Sequence, residues 1–292
     1  MSTEISVRDG VLERHLDDFV RNGFTVIRGV FSDDEISRYL EANERIVTKV
    51  RKDPARYATR YTAHADDLTD TWGVNNIFEP GLYEPDLAGI FGHHGFMAFP
   101  RFVLGRHLRF WSAHSLWSPE HVDYELNWHK DNYEQHFDTT GAARHVQFNV
   151  CLTADSSFKA VPGSHRRRLT DAEQAQFDAS GIDPLPGAVS VDCAPGDVIY
   201  MNYHTLHRGA CSAGVHRRTL HMNVQSMAEQ TGGQVTWDYM REPGYLDTVE
   251  PSLAVLMRRA IDWDDCHPID RAEARRRMRV KRDVRNHVAD GR

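Results

Sequence analysis

The sequence lacks an apolar run of the roughly 20 residues that a membrane-crossing helix needs. It also lacks basic excess: 35 Lys+Arg stand against 42 Asp+Glu, and the net charge of −7 disfavours nucleic acid as the main partner. The first residues show no basic region followed by an apolar stretch, so we expect no secretory signal. The four cysteines form no C-x-x-C pair. These absences favour a cytoplasmic protein whose free thiols are buried and inert, with neither membrane nor nucleic acid as partner.

The composition is that of a soluble globular protein, with 40% hydrophobic and 26% charged residues among 292. No internal repeat or low-complexity linker divides the chain. We therefore expect one domain over residues 1–292, with N-terminal helices over about 1–106, a β core over about 107–226 and an extension over about 227–292. Within the extension, the basic segment 271–285 is read as a solvated helix, with an anion-binding or subunit-contacting arm as the alternative. A homodimer is one expectation for the assembly.

The pattern of apolar residues predicts helices at both ends and strands between them. Helices are predicted over 11–22, from the capping residue Ser32 to about 52, over 84–106 with breaks at 92–95 and Pro100, over 170–180 and over 247–262. A strand is predicted over 24–30, and six short strands follow over 108–116, 124–130, 144–153, 187–193, 197–203 and 216–226. Strands without long helices between them favour an antiparallel sandwich or barrel. The predicted class is mainly β with flanking helices.

A histidine and a carboxylate stand two residues apart in the predicted strand 124–130 and the loop after it. Side chains on a strand alternate between faces, so His129 and Asp131 point the same way. Imidazole plus carboxylate is two thirds of the facial triad of non-haem Fe(II) oxygenases. Asn127 lies on the same face as His129 and is a candidate for contact with substrate or cosubstrate.

Two histidines compete for the third ligand position. His204 closes the predicted strand 197–203, whereas His207 lies past its end, just before Arg208-Gly209. A side chain in that flexible position can turn inward to a site, which favours His207. The residues alone leave His204 as the alternative.

Adjacent arginines stand at the start of the last predicted strand, where Arg217 and Arg218 must face opposite ways. One guanidinium can point into the barrel beside the metal and bind a carboxylate through a planar two-bond fork. Arg218, eleven residues after His207, is the residue we expect to hold the far carboxylate of an oxoacid cosubstrate. Gln147 and Asn149, which share a face of the strand over 144–153, are further candidates for the pocket.

The order of these motifs resembles that of the phytanoyl-CoA dioxygenase family of Fe(II)/2-oxoglutarate oxygenases. The resemblance covers about 12–226 and is specific as a set: an opening segment 23–32, H-x-D at 129–131, V-P-G-S-H at 161–165, P-G-D-V at 195–198, T-L-H at 205–207 and an arginine at 218. One departure is the stretch 154–160, which is shorter than in the family and lacks its acidic-Asn-Gly lead-in. Because that stretch edges the active site in the family, the departure concerns the substrate rather than the metal.

The resemblance implies a double-stranded β-helix (a cupin-like jelly roll) and an enzyme that uses Fe(II), 2-oxoglutarate and O2, with stimulation by ascorbate. It implies His129, Asp131 and His207 as iron ligands and catalytic centre, and Arg218 on the C5 carboxylate of 2-oxoglutarate. Gln147 and Asn127 are further candidates for contact with the cosubstrate because of the strand faces on which they lie. The expected reaction is hydroxylation of an unactivated C–H bond of a small, polar metabolite or natural-product intermediate, with release of succinate and CO2. The alternatives are desaturation, cyclisation or epimerisation by the same iron chemistry, a metal-binding jelly roll without turnover, and a zinc-dependent hydrolase on the same scaffold.

Overall fold

A computed structural model of the chain describes residues 2–62, 70–131, 143–230 and 235–268. Its helices are α1 (Ser2–Asn22), α2 (Asp33–Lys52), α3 (Pro85–Gly89), α4 (His94–Leu104), α5 (Asp171–Asp178), α6 (Tyr245–Thr248) and α7 (Pro251–Cys266). Short 3-10 turns cover Pro54–Arg56, Ile90–Gly92, Ser164–Arg166 and Val235–Arg241. Among the described helices, none combines the length and the apolar character that a membrane crossing needs.

Eleven strands in the described part of the chain form two antiparallel sheets. The seven-stranded sheet has the order β1-β9-β6-β11-β4-β3-β2, with β1 (Phe24–Ile27), β2 (Thr59–Tyr61), β3 (Thr71–Asn75), β4 (Leu108–Trp117), β6 (His145–Cys151), β9 (Val198–Asn202) and β11 (Arg218–Ser226). The four-stranded sheet has the order β5-β10-β7-β8, with β5 (Tyr124–Glu125), β7 (Asp155–Ala160), β8 (Val189–Cys193) and β10 (His207–Cys211). The predicted class, mainly β with flanking helices, is confirmed.

The two faces of the seven-stranded sheet have different neighbours. On one face, Phe148, Leu220 and Met222 join the main apolar core, to which α2, α4 and α7 also contribute. The opposite face turns toward the four-stranded sheet, because Cys151, Ile199 and Met201 form one buried cluster with residues of β7 and β8. We call these the helix face and the inner face. Alternation along the strand assigns each residue of β6, β9 and β11 to one of them.

Glycine at position 23 lets α1 and β1 approach the loop before β10. Its φ is +87°, and a Cβ there would overlap Thr205 Oγ1 and lie 2.6 Å from His165 Nδ1. The Thr205 hydroxyl donates to the Gly23 carbonyl at 3.0 Å. The N-terminal part of the chain thus fixes the backbone two residues before His207.

Four details correct the expectations from the sequence. Strand β7 (Asp155–Ala160) occupies a stretch where no strand was predicted, and β10 (His207–Cys211) begins where the chain was expected to leave its strand. Pro100 lies inside α4 rather than breaking it. The Phe96 carbonyl that the missing proline N–H would have bonded accepts instead from the Tyr200 hydroxyl at 2.8 Å. Cys266 is exposed, unlike the three other cysteines. The basic segment 271–285 lies outside the described residues.

Candidate functional site

The backbone brings the three predicted ligands together. His129 and His207 form an isolated antiparallel bridge, in which the N–H of each donates to the carbonyl of the other at 3.0 Å. The Asp131 N–H donates to the Tyr203 carbonyl at 3.1 Å, which anchors the same loop to the chain between β9 and β10. One ligand atom from each of His129, Asp131 and His207 lies within 4.8 Å of the others.

Both imidazoles are oriented by carbonyl oxygens of the chain just before them. His129 Nδ1 lies 2.7 Å from the Asn127 carbonyl, and His207 Nδ1 lies 2.9 Å from the Thr205 carbonyl. With Nδ1 donating to a carbonyl, Nε2 carries the lone pair that a metal requires. The two Nε2 atoms face Asp131, at 3.9 Å from Oδ1 and 3.5 Å from Oδ2. This set of two imidazole nitrogens and one carboxylate fits Fe(II).

The competing histidine, His204, does not join this group. Its ring packs on Tyr203, with centroids 4.2 Å apart. His129 and His207 are buried, and Asp131 is partly exposed. The structure therefore places His207, not His204, beside His129 and Asp131.

The two adjacent arginines lie on different faces of the large sheet. Arg218 shares the helix face with Leu220 and Met222, and its Nε lies 2.6 Å from Glu44 Oε1 on α2. Its guanidinium is thus held against a helix and not between the sheets. The structure does not bring Arg218, our expected contact for the cosubstrate, to the inner face. Strand alternation is the physical reason, because a side chain at an even position of β11 must point toward the helices.

Arg217 is the arginine directed toward the four-stranded sheet. Its Nε lies 2.7 Å from Asp155 Oδ2 on β7, and its Nη1 donates to the Tyr124 hydroxyl. Arg217 is buried, with 4% of its surface exposed. The sequence placed one of the two arginines beside the site, and only the strand register decides which.

Strand β10 runs from His207 to Cys211, which pairs with Tyr124, and the Tyr124 hydroxyl accepts from Arg217. His207, Gly209 and Cys211 alternate onto the same face of that strand. A Cβ added at Gly209 would meet no described atom closer than 3.9 Å. Gly209 therefore places no side chain on this face of β10 between His207 and Cys211.

The inner face of the seven-stranded sheet carries two buried amide side chains on β6. Gln147 and Asn149 are 1% and 7% exposed, and no partner within the described residues bonds Gln147 Nε2 or Asn149 Oδ1. A bound ligand or water would satisfy these atoms, since buried polar groups in proteins are almost always bonded. Asn127 instead serves His129 through its carbonyl, and its side-chain amide donates to the Trp128 carbonyl at 3.3 Å.

A neutral histidine lies behind the Asp131 loop. His145 stacks on Tyr203 with ring centroids 4.3 Å apart, and its Nε2 lies 2.9 Å from Asn223 Oδ1. Burial lowers the pKa of His145 to about 4, against the weaker opposing effect of its bond to Asn223. The His145 side chain is therefore polar but uncharged at neutral pH. No feature of the sequence alone singled out this residue.

Comparison with known proteins is consistent with this site. Residues 19–237 match the family described as phytanoyl-CoA dioxygenase (PhyH). The ectoine dioxygenase of Stutzerimonas stutzeri (strain A1501) is 23% identical over 212 residues, which cover 65% of this chain and 68% of that protein.

Two solved structures share the fold. EctD from S. alaskensis with 2-oxoglutarate and 5-hydroxyectoine gives a TM-score of 0.57 at 19% identity, over 74% of this chain and 76% of that chain. The non-haem alpha-ketoglutarate-dependent epimerase SnoN from nogalamycin biosynthesis gives 0.55 at 21% identity, over 75% of this chain and 82% of that chain. The chain belongs to the phytanoyl-CoA dioxygenase family, and His129, Asp131 and His207 form a cluster in it that could hold a metal ion.

Proposed function

We propose that His129, Asp131 and His207 bind Fe(II), that Arg217 binds the distal carboxylate of 2-oxoglutarate, and that the enzyme hydroxylates a C–H bond of a small, polar substrate. The observation that carries the proposal is the convergence of three ligand atoms within 4.8 Å, on imidazoles whose Nδ1 atoms are already bonded to the backbone. Bound Fe(II) with 2-oxoglutarate would supply O2 activation and C–H oxidation, with succinate and CO2 as coproducts.

The protein orients the proposed metal ligands and shields them from water. The reciprocal backbone bonds between His129 and His207 set the separation of two ligands, and the Asn127 and Thr205 carbonyls set their ring orientation. His129, Asp131 and His207 would together hold Fe(II), which when bound would supply the chemistry of oxygen activation. Burial of both histidines limits the access of water to the reacting atoms.

Arg217 rather than Arg218 is the proposed anchor for the cosubstrate. A planar guanidinium binds a carboxylate by two parallel hydrogen bonds, and Arg217 is the arginine of the pair that contacts strands of the four-stranded sheet, to which His207 also belongs. Arg218 has its Nε and Nη2 on Glu44, on the opposite face of the sheet. We assign Arg218 a role in holding α2 against β11.

The inner-face amides support a polar substrate. Gln147 offers a hydrogen-bond donor and Asn149 an acceptor that no described residue uses. His145, on the same strand, contributes a neutral polar side chain. Gln147 is retained from the sequence prediction as a ligand contact, whereas Asn127 acts through its carbonyl on His129. A small molecule that bears hydroxyl or amide groups suits these polar side chains better than an acyl chain does.

Hydroxylation is preferred over the other outcomes of the same chemistry because the related ectoine dioxygenase is by its name an oxygenase. Epimerisation is the second candidate, since a protein of the same fold is an epimerase. The two outcomes share the site described above and diverge at the substrate.

The experiment is to measure succinate release and 2-oxoglutarate binding on the purified protein with Arg217→Gln and Arg218→Gln as a matched pair. We expect succinate formation to require both Fe(II) and 2-oxoglutarate. We expect Arg217→Gln to weaken 2-oxoglutarate binding about 100-fold, as loss of a two-bond charged contact does, and Arg218→Gln to change it less than about threefold. If Arg218→Gln is the variant that loses binding, the anchor is Arg218 and our assignment of Arg217 is wrong.

A further inference from the structure

The proposed cosubstrate anchor already has a carboxylate partner of its own chain. Asp155 Oδ2 lies 2.7 Å from Arg217 Nε, and both side chains are at least nine-tenths buried. The Arg217 charge is therefore neutralised before any ligand arrives. A buried ion pair of this kind is costly to break, because it leaves one charge without compensation.

Asp155 is held firmly in place. Its Oδ1 accepts from the Ser157 N–H at 2.7 Å, and its Oδ2 also accepts from the Thr219 hydroxyl at 2.9 Å. Burial alone would raise the pKa of Asp155, but the Arg217 guanidinium and these hydrogen bonds hold it below its ordinary value. The carboxylate is therefore charged at neutral pH and is not free to turn away from Arg217.

We propose that Asp155 is a resident counter-ion that shares Arg217 with the distal carboxylate of the cosubstrate, so that it stabilises the ligand-free fold and weakens the binding of dicarboxylate oxoacids. The inference rests on the proposed role of Arg217. Ligand binding places two carboxylates around one guanidinium, and the repulsion between them opposes binding in a buried, weakly screened site.

Removing the Asp155 charge has two effects of opposite sign. The ligand-free protein loses stability, because Arg217 is left buried and unpaired. The oxoacid gains affinity, because its carboxylate becomes the sole counter-ion of Arg217. A residue that merely supported the fold would lower both quantities together, so the opposition of the two signs is the diagnostic feature.

The test uses full-length protein loaded anaerobically with Fe(II), and calorimetric titration with two oxoacids. 2-Oxoglutarate carries the distal carboxylate, and 2-oxovalerate has the same chelating end and chain length without it. For Asp155→Asn we expect a lower melting temperature without ligand, 2-oxoglutarate binding about tenfold tighter than in the wild type, and 2-oxovalerate affinity unchanged within about twofold. Unchanged or weaker 2-oxoglutarate binding, or an equal change for both acids, overturns the proposal.

The matched control is Asp197→Asn. Asp197 is a buried aspartate that pairs with Arg28 at 2.6 Å in the turn before β9. The Asp197→Asn substitution should lower the melting temperature without changing the affinity for either oxoacid. If Arg217→Gln leaves 2-oxoglutarate binding intact, the anchor itself is misassigned. If Arg217→Gln weakens binding but Asp155→Asn does not tighten it, only the counter-ion role fails.

Two further measurements keep the proposal testable if Asp155→Asn does not fold. Asp155→Ser removes the charge and leaves a smaller polar side chain, and the same tightening is expected. In the wild type, an arginine already shared with Asp155 should favour 2-oxoglutarate over 2-oxovalerate by less than about a thousandfold. A larger ratio would show a full, unshared charge on Arg217 and would contradict the proposal.

Discussion

The two faces of the seven-stranded sheet divide stability and chemistry between them. On β6, Phe148 faces the helices and packs on Phe96 and Tyr200, with ring centroids 5.0 and 5.6 Å away. Its neighbour Gln147 faces the four-stranded sheet with a side-chain nitrogen that no described residue bonds. A one-residue step along a strand thus changes a side chain from core packing to site chemistry, and the same step separates Arg218 from Arg217.

The largest effect is expected at the proposed metal ligands. His207→Ala should lower Fe(II) affinity by more than about 100-fold, because removing a ligand costs more than removing one of the groups that orient it. Succinate release should fall in proportion. The comparison variant is His204→Ala, three residues earlier and packed on Tyr203, which should retain metal binding. Equal loss in both variants, measured by anaerobic metal titration, would remove the distinction between the two histidines.

The comparison between the faces is sharpest on β6. Phe148→Ala should lower the free energy of unfolding by about 3–5 kcal/mol, because it opens a cavity in the main core. Gln147→Leu should change that free energy by less than about 1 kcal/mol, since its Nε2 loses no described partner. Denaturant unfolding measures both. The outcome that breaks the comparison is a large loss of stability from Gln147→Leu.

A smaller effect is expected from pH through His145. The Gln225 amide nitrogen lies 3.1 Å from His145 Nδ1, so protonation of that nitrogen would break a bond. Because the folded pKa of about 4 lies below the unfolded value of 6.5, the unfolded state binds the proton first as the pH falls. Stability should therefore decrease from about pH 6.5 downward, by about 1 kcal/mol between pH 6.5 and 5.5. His145→Gln should show a flatter pH profile of unfolding; an unchanged slope would contradict this reading.

The smallest effect is expected at the helix-face arginine. Glu44→Gln removes a charge that is 40% exposed and paired with Arg218, so it should cost less than about 1 kcal/mol of stability. The affinity for 2-oxoglutarate should stay that of the wild type, because the pair lies on the other side of the sheet. A changed affinity in titration calorimetry would place Arg218 closer to the ligand than its contacts indicate.

The sequence predicted those parts of the site that depend on local geometry. His129 and Asp131 are two residues apart, so strand alternation alone gave them one direction. Ser32 caps α2 as the sequence predicted, and Glu35 completes a capping box with it. The β-rich centre and its flanking helices followed from residue periodicity.

The remaining errors are matters of register and of long-range pairing. Sequence could place Arg217 and Arg218 on opposite faces but could not say which face was inner, because that depends on the pairing of β11 with β4 and β6. Strands β7 and β10 are short and rich in polar or small residues, and only their partners make them strands. The division into one domain, the compartment and the role of residues 271–285 stay predictions.

The bridge between His129 and His207 bears on how the protein would lose and regain the proposed Fe(II). The pair is joined through main-chain atoms, so their spacing would not depend on a bound ion. A zinc finger unfolds when a chelator removes its metal, whereas this site should keep its ligand geometry after the metal is removed. Reloading would then be a simple encounter between a ready-made cavity and a cation, without a refolding step.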